Sequence, residues 1–197
     1  MDRIAMVLLT GGNSTRMGTS KAELVLDGQT FAERIAEELA ACGPLYLSVS
    51  ADTPHVPLHE IYPCIRDEAD HVGPMGGISA VFHQIDADAC FFCACDMPFM
   101  ARAYVSHLCG IWDSVSPESY DALLVKGAGG RIYPTAGIYH RRILKDLDLK
   151  IQEENYRLRD LLASHRVFYV EENSLGELKK SLINVNTIKD YESLRDH

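Results

Sequence analysis

Along the chain, short runs of consecutive apolar residues alternate with stretches where apolar positions recur every three or four residues. The first run, Ile4–Leu9, enters Thr10-Gly11-Gly12, which predicts a buried strand ending in a tight loop. Residues 31–41 place Phe31, Ile35, Leu39 and Ala40 on one helical face, with charged residues between them and Gly43-Pro44 as the stop. The same reading predicts strands over 45–49, 61–65, 89–95, 122–125 and 167–170. It predicts helices over 78–85, 101–112, 141–149, 158–164 and 187–195, and a helix-forming stretch around Leu178. Residues 132–139 have strand character with Pro134 inside, the mark of an edge or a bulge.

Strands alternating with helices predict an α/β fold, a Rossmann-like three-layer sandwich whose mostly parallel sheet is covered on both faces. The chain shows no internal repeat, low-complexity segment or linker, and its 197 residues suit one domain, 1–197, with a core of its own. Ligands of such sheets sit beyond the carboxyl ends of the strands. Gly11-Gly12 and Asp96 both fall at predicted strand ends, and so on one rim.

Charge and cysteine usage narrow the choice of ligand. Lys and Arg total 19 against 28 Asp and Glu, a net charge of −9, which argues against nucleic acid or an anionic membrane as partner. An acidic chain that binds phosphate must gather its cations locally or borrow a metal. Of six cysteines, Cys90, Cys93 and Cys95 crowd into one predicted strand, while Cys42, Cys64 and Cys109 are scattered. A zinc ribbon needs a second ligand pair, so buried apolar thiols are expected. The eight histidines are scattered along the chain and are assigned no role. With reduced thiols, no signal-peptide cleavage region near the N-terminus and no apolar run approaching the ~20 residues of a membrane span, the expected location is the cytoplasm.

The richest chemistry lies in residues 8–21. Gly11, Gly12 and Gly18 permit close backbone approach to a ligand, and successive N–H groups in such a loop form an anion-binding nest. Arg16 offers phosphate a bidentate fork and Lys21 a point charge. A P-loop would need Lys directly after the last glycine, whereas Gly18 is followed by Thr19-Ser20-Lys21. The G-x-G-x-x-G spacing is not met either. A surface loop with incidental basic residues is the plainer alternative. Further on, Asp67 closes a predicted strand before Gly73-Pro74-Met75-Gly76-Gly77, a rigid turn that admits a flat base or ribose. Asp67 either accepts hydrogen bonds from that ligand or serves as a helix cap or surface carboxylate. Cys95-Asp96-Met97-Pro98 places a carboxylate on the rim. It suits Mg²⁺, which takes one or two carboxylates plus substrate phosphates; an aspartate opening a turn is the alternative.

Together these blocks resemble the molybdenum cofactor guanylyltransferase (MobA-like) family of the NTP-transferase superfamily. Its pattern Leu-Ala-Gly-Gly-x-Ser-x-Arg-Met-Gly-x-Asp-Lys is matched by Leu9, Gly11, Gly12, Ser14, Arg16, Met17, Gly18 and Lys21. The blocks at 73–77 and 95–98, Tyr133-Pro134-Thr135 and Asn184-Val185-Asn186-Thr187 follow in the family's order. Thr10 and Ser20 replace the family's Ala and Asp, and Ser48 stands near where it often has Asn. The resemblance implies a nucleotide-diphospho-sugar transferase-like fold, GTP and molybdopterin as substrates, Mg²⁺ as cofactor, and transient contact with molybdoenzymes or cofactor-assembly proteins. It implies that Arg16 and Lys21 hold the triphosphate and that Asp96 binds Mg²⁺. Leu9, Thr10, Gly11, Gly12 and Asp67 are expected near guanine or ribose, with Gly73 and Gly77 shaping that wall. Asn184 and Asn186 are expected on the acceptor side, and Arg157 or Arg159 at the acceptor's phosphate or simply in solvent. Gly11-Gly12 leans toward GTP, since related cytidine-using enzymes often read Ala-Ala-Gly. A cytidylyltransferase, a transferase for another phosphorylated acceptor and a non-catalytic nucleotide-binding assembly factor remain the alternatives.

Overall fold

Apolar residues on both faces of the first strand require cover on both sides, and the computed structural model supplies it. The structure describes residues 3–11, 21–50, 53, 55–67, 72–115 and 118–195. In chain order the elements are β1 (Ile4–Leu9), β2 (Val25–Leu26), β3 (Gln29–Thr30), α1 (Phe31–Ala40), β4 (Leu45–Ser50), α2 (Leu58–Ile61), β5 (Cys64–Asp67), α3 (Pro74–Gln84) and β6 (Ala89–Ala94). There follow α4 (Arg102–Ser114), β7 (Ala122–Lys126), β8 (Ala136–His140), α5 (Leu144–Gln152), α6 (Leu158–Leu162), β9 (Val167–Glu171), a 3₁₀ run over Glu172–Leu182 and α7 (Ile188–Arg195).

Seven strands form the central sheet in the order β5-β4-β1-β6-β8-β7-β9. Every neighbouring pair is parallel except the two made by β8. Ala5, Val7 and Leu9 of β1 pack with α3, α5 and α6, whereas Met6 and Leu8 pack with α1, α4 and the 3₁₀ run. The two-residue alternation of a strand thus splits one apolar run between two cores. Cys90 and Cys93 are buried in β6 on opposite faces, and burial pushes the Cys90 thiol up to about 12. The expected three-layer sandwich with a mostly parallel sheet is present.

Local chemistry fixes the helices that frame the rim. The Thr30 side chain accepts from the Glu33 amide while Glu33 reaches back to the Thr30 amide, a capping box that starts α1. Gly73, at φ 66°, turns the chain into α3 with Pro74 in its first turn. The turn expected at 73–77 is therefore largely the beginning of a helix. Two further expectations shift. The strand expected over 61–65 runs Cys64–Asp67, because α2 takes the residues before it and leaves Ile61 67% exposed. The strand expected over 132–139 shrinks to Ala136–His140, since Tyr133 and Pro134 lie in a turn closed by the Ala136 amide on the Tyr133 carbonyl (3.2 Å). The stretch around Leu178 is 3₁₀ rather than α-helical. Among the described residues no helix is long and apolar enough to cross a membrane.

Candidate active site at the carboxyl rim

Where β1 ends, the backbone amides of Thr10 (2.9 Å) and Gly11 (3.2 Å) and the Thr10 hydroxyl (2.9 Å) all donate to the Ser48 carbonyl of β4. Thr10 and Ser48 are buried, so the threonine found in place of the family's alanine adds a buried hydrogen bond to this closure. Small residues then let the neighbouring elements meet. A Cβ on Gly11 would stand 3.0 Å from the Ser50 nitrogen, and one on Gly77 2.6 Å from the Ser48 hydroxyl and 3.1 Å from the Leu9 side chain. A Cβ on Gly76 would collide with the carboxylate of Asp67, which lies across that turn of α3 at the end of β5.

Asp96 follows β6, where the Cys95 amide donates to the Leu9 carbonyl at 3.2 Å. The Val185 amide donates to the Asp96 carbonyl at 2.8 Å, drawing residues 184–186 from the far end of the chain onto the same spot. The Lys21 ammonium donates to Asp96 Oδ2 (3.2 Å) and to Asn186 Oδ1 (2.9 Å). Asp190 supports this segment by accepting from the amides of Asn186 and Thr187. The Lys21 and Asp96 side chains are only 21% and 16% exposed. Asp96 Oδ1 and Asn184 Oδ1 are buried with no hydrogen-bond partner among the described residues.

Orphaned buried oxygens cost free energy unless something completes them. Carboxylate and amide oxygens are the hard donors that Mg²⁺ takes, so this donor set fits the ion. Among the described residues no three His, Cys, Asp or Glu side chains gather as a metal cage; Mg²⁺ commonly completes its coordination with waters and substrate phosphates. Burial and then the nearby Asp96 push the adjacent Cys95 thiol up to about 12.

Beyond Asp96 the rim continues across the antiparallel part of the sheet. The Ala94 amide donates to the Thr135 carbonyl at 3.0 Å, which sets the turn before β8 beside the end of β6. The connection from β7 to β8 rises from the rim, with Gly129 and Gly130 at φ 68° and 78°. Glu172, directly after β9, lies over Gly127, where a Cβ would collide with its Oε2. The Tyr133 hydroxyl donates to Glu172 Oε1 at 3.2 Å, and the Arg131 guanidinium stands 4.6 Å from the Tyr133 ring centroid. Burial, with the Glu172 carboxylate outdone in part by Arg131, raises the Tyr133 phenol and keeps it a donor.

Leu9, Thr10, Gly11, Lys21, Asp67, Gly73, Gly77, Asp96, Asn184 and Asn186 all come to this rim, and Lys21, Asp96 and Asn186 touch. Gly12 and Arg16 lie outside the described residues. Arg157 and Arg159 are exposed at the start of α6 and take no part in the Lys21–Asp96–Asn186 cluster. Sequence reasoning missed Ser48 as the anchor of the first loop, and also the contacts among Arg131, Tyr133 and Glu172. One signal was present in Lys126-Gly127-Ala128-Gly129-Gly130-Arg131, a glycine-rich run flanked by two cations.

Comparison with known proteins gives a consistent result. The family model of the MobA-like NTP transferase domain matches residues 6–168. A Geobacillus sp. (strain WCH70) protein named as a probable molybdenum cofactor guanylyltransferase is 30% identical over 98% of this chain and 99% of its own. Among solved structures, molybdopterin-guanine dinucleotide biosynthesis protein A from Archaeoglobus fulgidus superposes with a TM-score of 0.83, at 23% identity over 98% of this chain and 97% of that one. The 4-diphosphocytidyl-2C-methyl-D-erythritol synthase of Anaerococcus prevotii superposes with a TM-score of 0.75, at 11% identity over 98% and 95%. The fold is therefore shared by proteins whose names carry different bases, and the base must be argued from side chains.

Proposed function

The chain belongs to the MobA-like NTP transferase family, and on that footing we propose that it transfers GMP from GTP to molybdopterin, releasing pyrophosphate and forming molybdopterin guanine dinucleotide. The observation that carries this reading is the meeting of Lys21, Asp96 and Asn186 on the rim, with one buried Asp96 oxygen left over. Its supports are the full-length relatives that bear the guanylyltransferase name. It places the reaction in the cytoplasm and ends with delivery of the product to the enzymes that use it.

In the reaction a phosphate oxygen of the acceptor bonds to the α-phosphorus while the bond to the bridging oxygen of pyrophosphate breaks. Positioning and charge compensation do most of the work in such a transfer. Lys21 exchanges its hold on Asp96 for phosphate oxygens, and Gly12 and Arg16 share the triphosphate by their place in the sequence pattern. Asp96, with Asn184, would hold Mg²⁺, which when bound supplies charge neutralisation at the phosphates. Leu9, Thr10 and Gly11 line the base and ribose, with Gly73 and Gly77 shaping the wall. Guanine presents N1–H and the 2-amino group side by side, a donor pair that suits a carboxylate such as Asp67. Cytosine has no such pair.

Isothermal calorimetry with GTP, CTP and ATP, each with and without Mg²⁺, tests the nucleotide half. GTP should bind selectively and more tightly with Mg²⁺. A preference for CTP would move the substrate, and a folded protein that binds no nucleotide would end the proposal.

A further inference from the structure

We infer that Glu172 reads the aminopyrimidinone edge of the acceptor's pterin, so that the rim over β7–β9 is the acceptor's ring subsite. This rests on the proposed function, which supplies the acceptor. The acceptor is extended, with its phosphate at one end and its 2-amino-4-oxopyrimidine at the other. With the phosphate at Asp96 and the nucleotide over β1, β4 and β5, the ring must run outward across β8 and β7. Three strand spacings separate β6 from β9, roughly 14 Å, and Glu172 stands directly after β9.

Three features of Glu172 suit the task. Tyr133 donates to Oε1, and no described residue donates to Oε2, so acceptor capacity remains for the ring's N–H and amino donors. Gly127 lets the carboxylate lie against the backbone, since a Cβ would strike Oε2. The same device holds Asp67 over Gly76 at the opposite end of the sheet. Guanine and pterin share the same donor edge, and a glycine-backed carboxylate stands at or just past the end of each outer strand of the sheet. Beside Glu172, the exposed Arg131 stacked on Tyr133 offers a flat cationic surface to a bicyclic ring.

The test compares the whole chain with its Glu172→Gln variant, using 6-hydroxymethylpterin and 6-hydroxymethyllumazine as fluorescent probes. Lumazine carries an oxo group where pterin has the amine. The native chain should favour the pterin by about tenfold or more, and the variant should lose that preference while binding GTP as before. In turnover the variant's KM for molybdopterin should rise about tenfold or more. Gly127→Ala, which displaces the carboxylate, should act in the same direction. Equal binding of both probes by the native chain, or an equal loss of both in the variant, would overturn the inference in favour of a structural brace. An unchanged acceptor KM and unchanged probe preference in the variant would overturn it while leaving the proposed function standing. Failure of the native chain to guanylylate molybdopterin would remove both.

Discussion

At the amino rim of the sheet, Asp121 precedes β7 and both of its oxygens are taken. Arg142 Nε donates to Oδ1 at 2.8 Å, and the Arg166 guanidinium and amide donate to Oδ1 and Oδ2 at 3.2 and 2.9 Å. Nearby, Arg141 donates to the carbonyls of Phe82, Ile85 and Ala87 and closes the end of α3, and Arg3 pairs with Asp86 and Asp88. At the carboxyl rim, the Asp96 side chain is only 16% exposed, and one buried oxygen of it is satisfied by no described residue. Every Asp121 oxygen has a donor, whereas one Asp96 oxygen has none among the described residues. Buried polar groups are satisfied almost everywhere in native proteins, and under the proposed function a bound ion would satisfy the oxygen left over at Asp96.

Substitutions can break this contrast. The largest effect should come from Asp96→Ala, with transfer falling at least about a hundredfold in kcat/KM while thermal stability is retained. Retained turnover with Mg²⁺ would remove Asp96 from the mechanism. Lys21→Ala should weaken GTP binding by roughly tenfold to a hundredfold, the span of a hydrogen bond to a charged group, as read by calorimetry. An unchanged affinity would leave Lys21 with a role only in contacts within the protein, to Asp96 and Asn186 among them.

Asp121→Asn should do the reverse of Asp96→Ala, lowering stability while folded protein keeps its turnover. Burial by itself would raise the Asp121 carboxyl, but the Arg166 amide and the Arg166 and Arg142 guanidinium groups outweigh it and hold it at about 2. That depression stabilises the fold by up to about 2 kcal/mol at neutral pH. Because the folded value lies below the ordinary 3.8, the contribution is complete above about pH 5 and is lost as pH falls toward about 2. Urea midpoints should therefore separate variant from native protein at pH 7 and converge in acid; a constant gap would point to packing instead. Smallest of all, Thr10→Val should cost about 1 kcal/mol for the lost buried hydrogen bond to Ser48. Thermal melts would read it, with a far smaller change in turnover than Asp96→Ala produces.

The two halves of the site were unequally legible in the sequence. The half proposed for the nucleotide is built on close backbone approach, so it falls on consecutive residues such as Leu9, Thr10 and Gly11, and on glycines such as Gly73, at positive φ, and Gly77, packed on Ser48. These leave local motifs, and Asp96 stands out because it ends an uninterrupted apolar strand. The other half depends on side chains brought together by the sheet. Glu172 meets Gly127 and Tyr133 only because β9 lies beside β7, and no spacing announces that. The β2–β3 hairpin was passed over although Asp27-Gly28, both at positive φ, is a strong two-residue turn signal. Its strands are two residues each, too short for periodicity to register. The misplaced third strand has a similar cause, since Ile61 is apolar yet exposed and only the fold shows which way it points.

The most direct measurement is product formation. The purified chain would be incubated with molybdopterin, Mg²⁺ and GTP, CTP or ATP in parallel, and the products read by mass spectrometry. The account predicts molybdopterin guanine dinucleotide and pyrophosphate with GTP, and little or no product with the other two nucleotides. A cytosine dinucleotide, or no dinucleotide from folded protein that binds GTP, would contradict it.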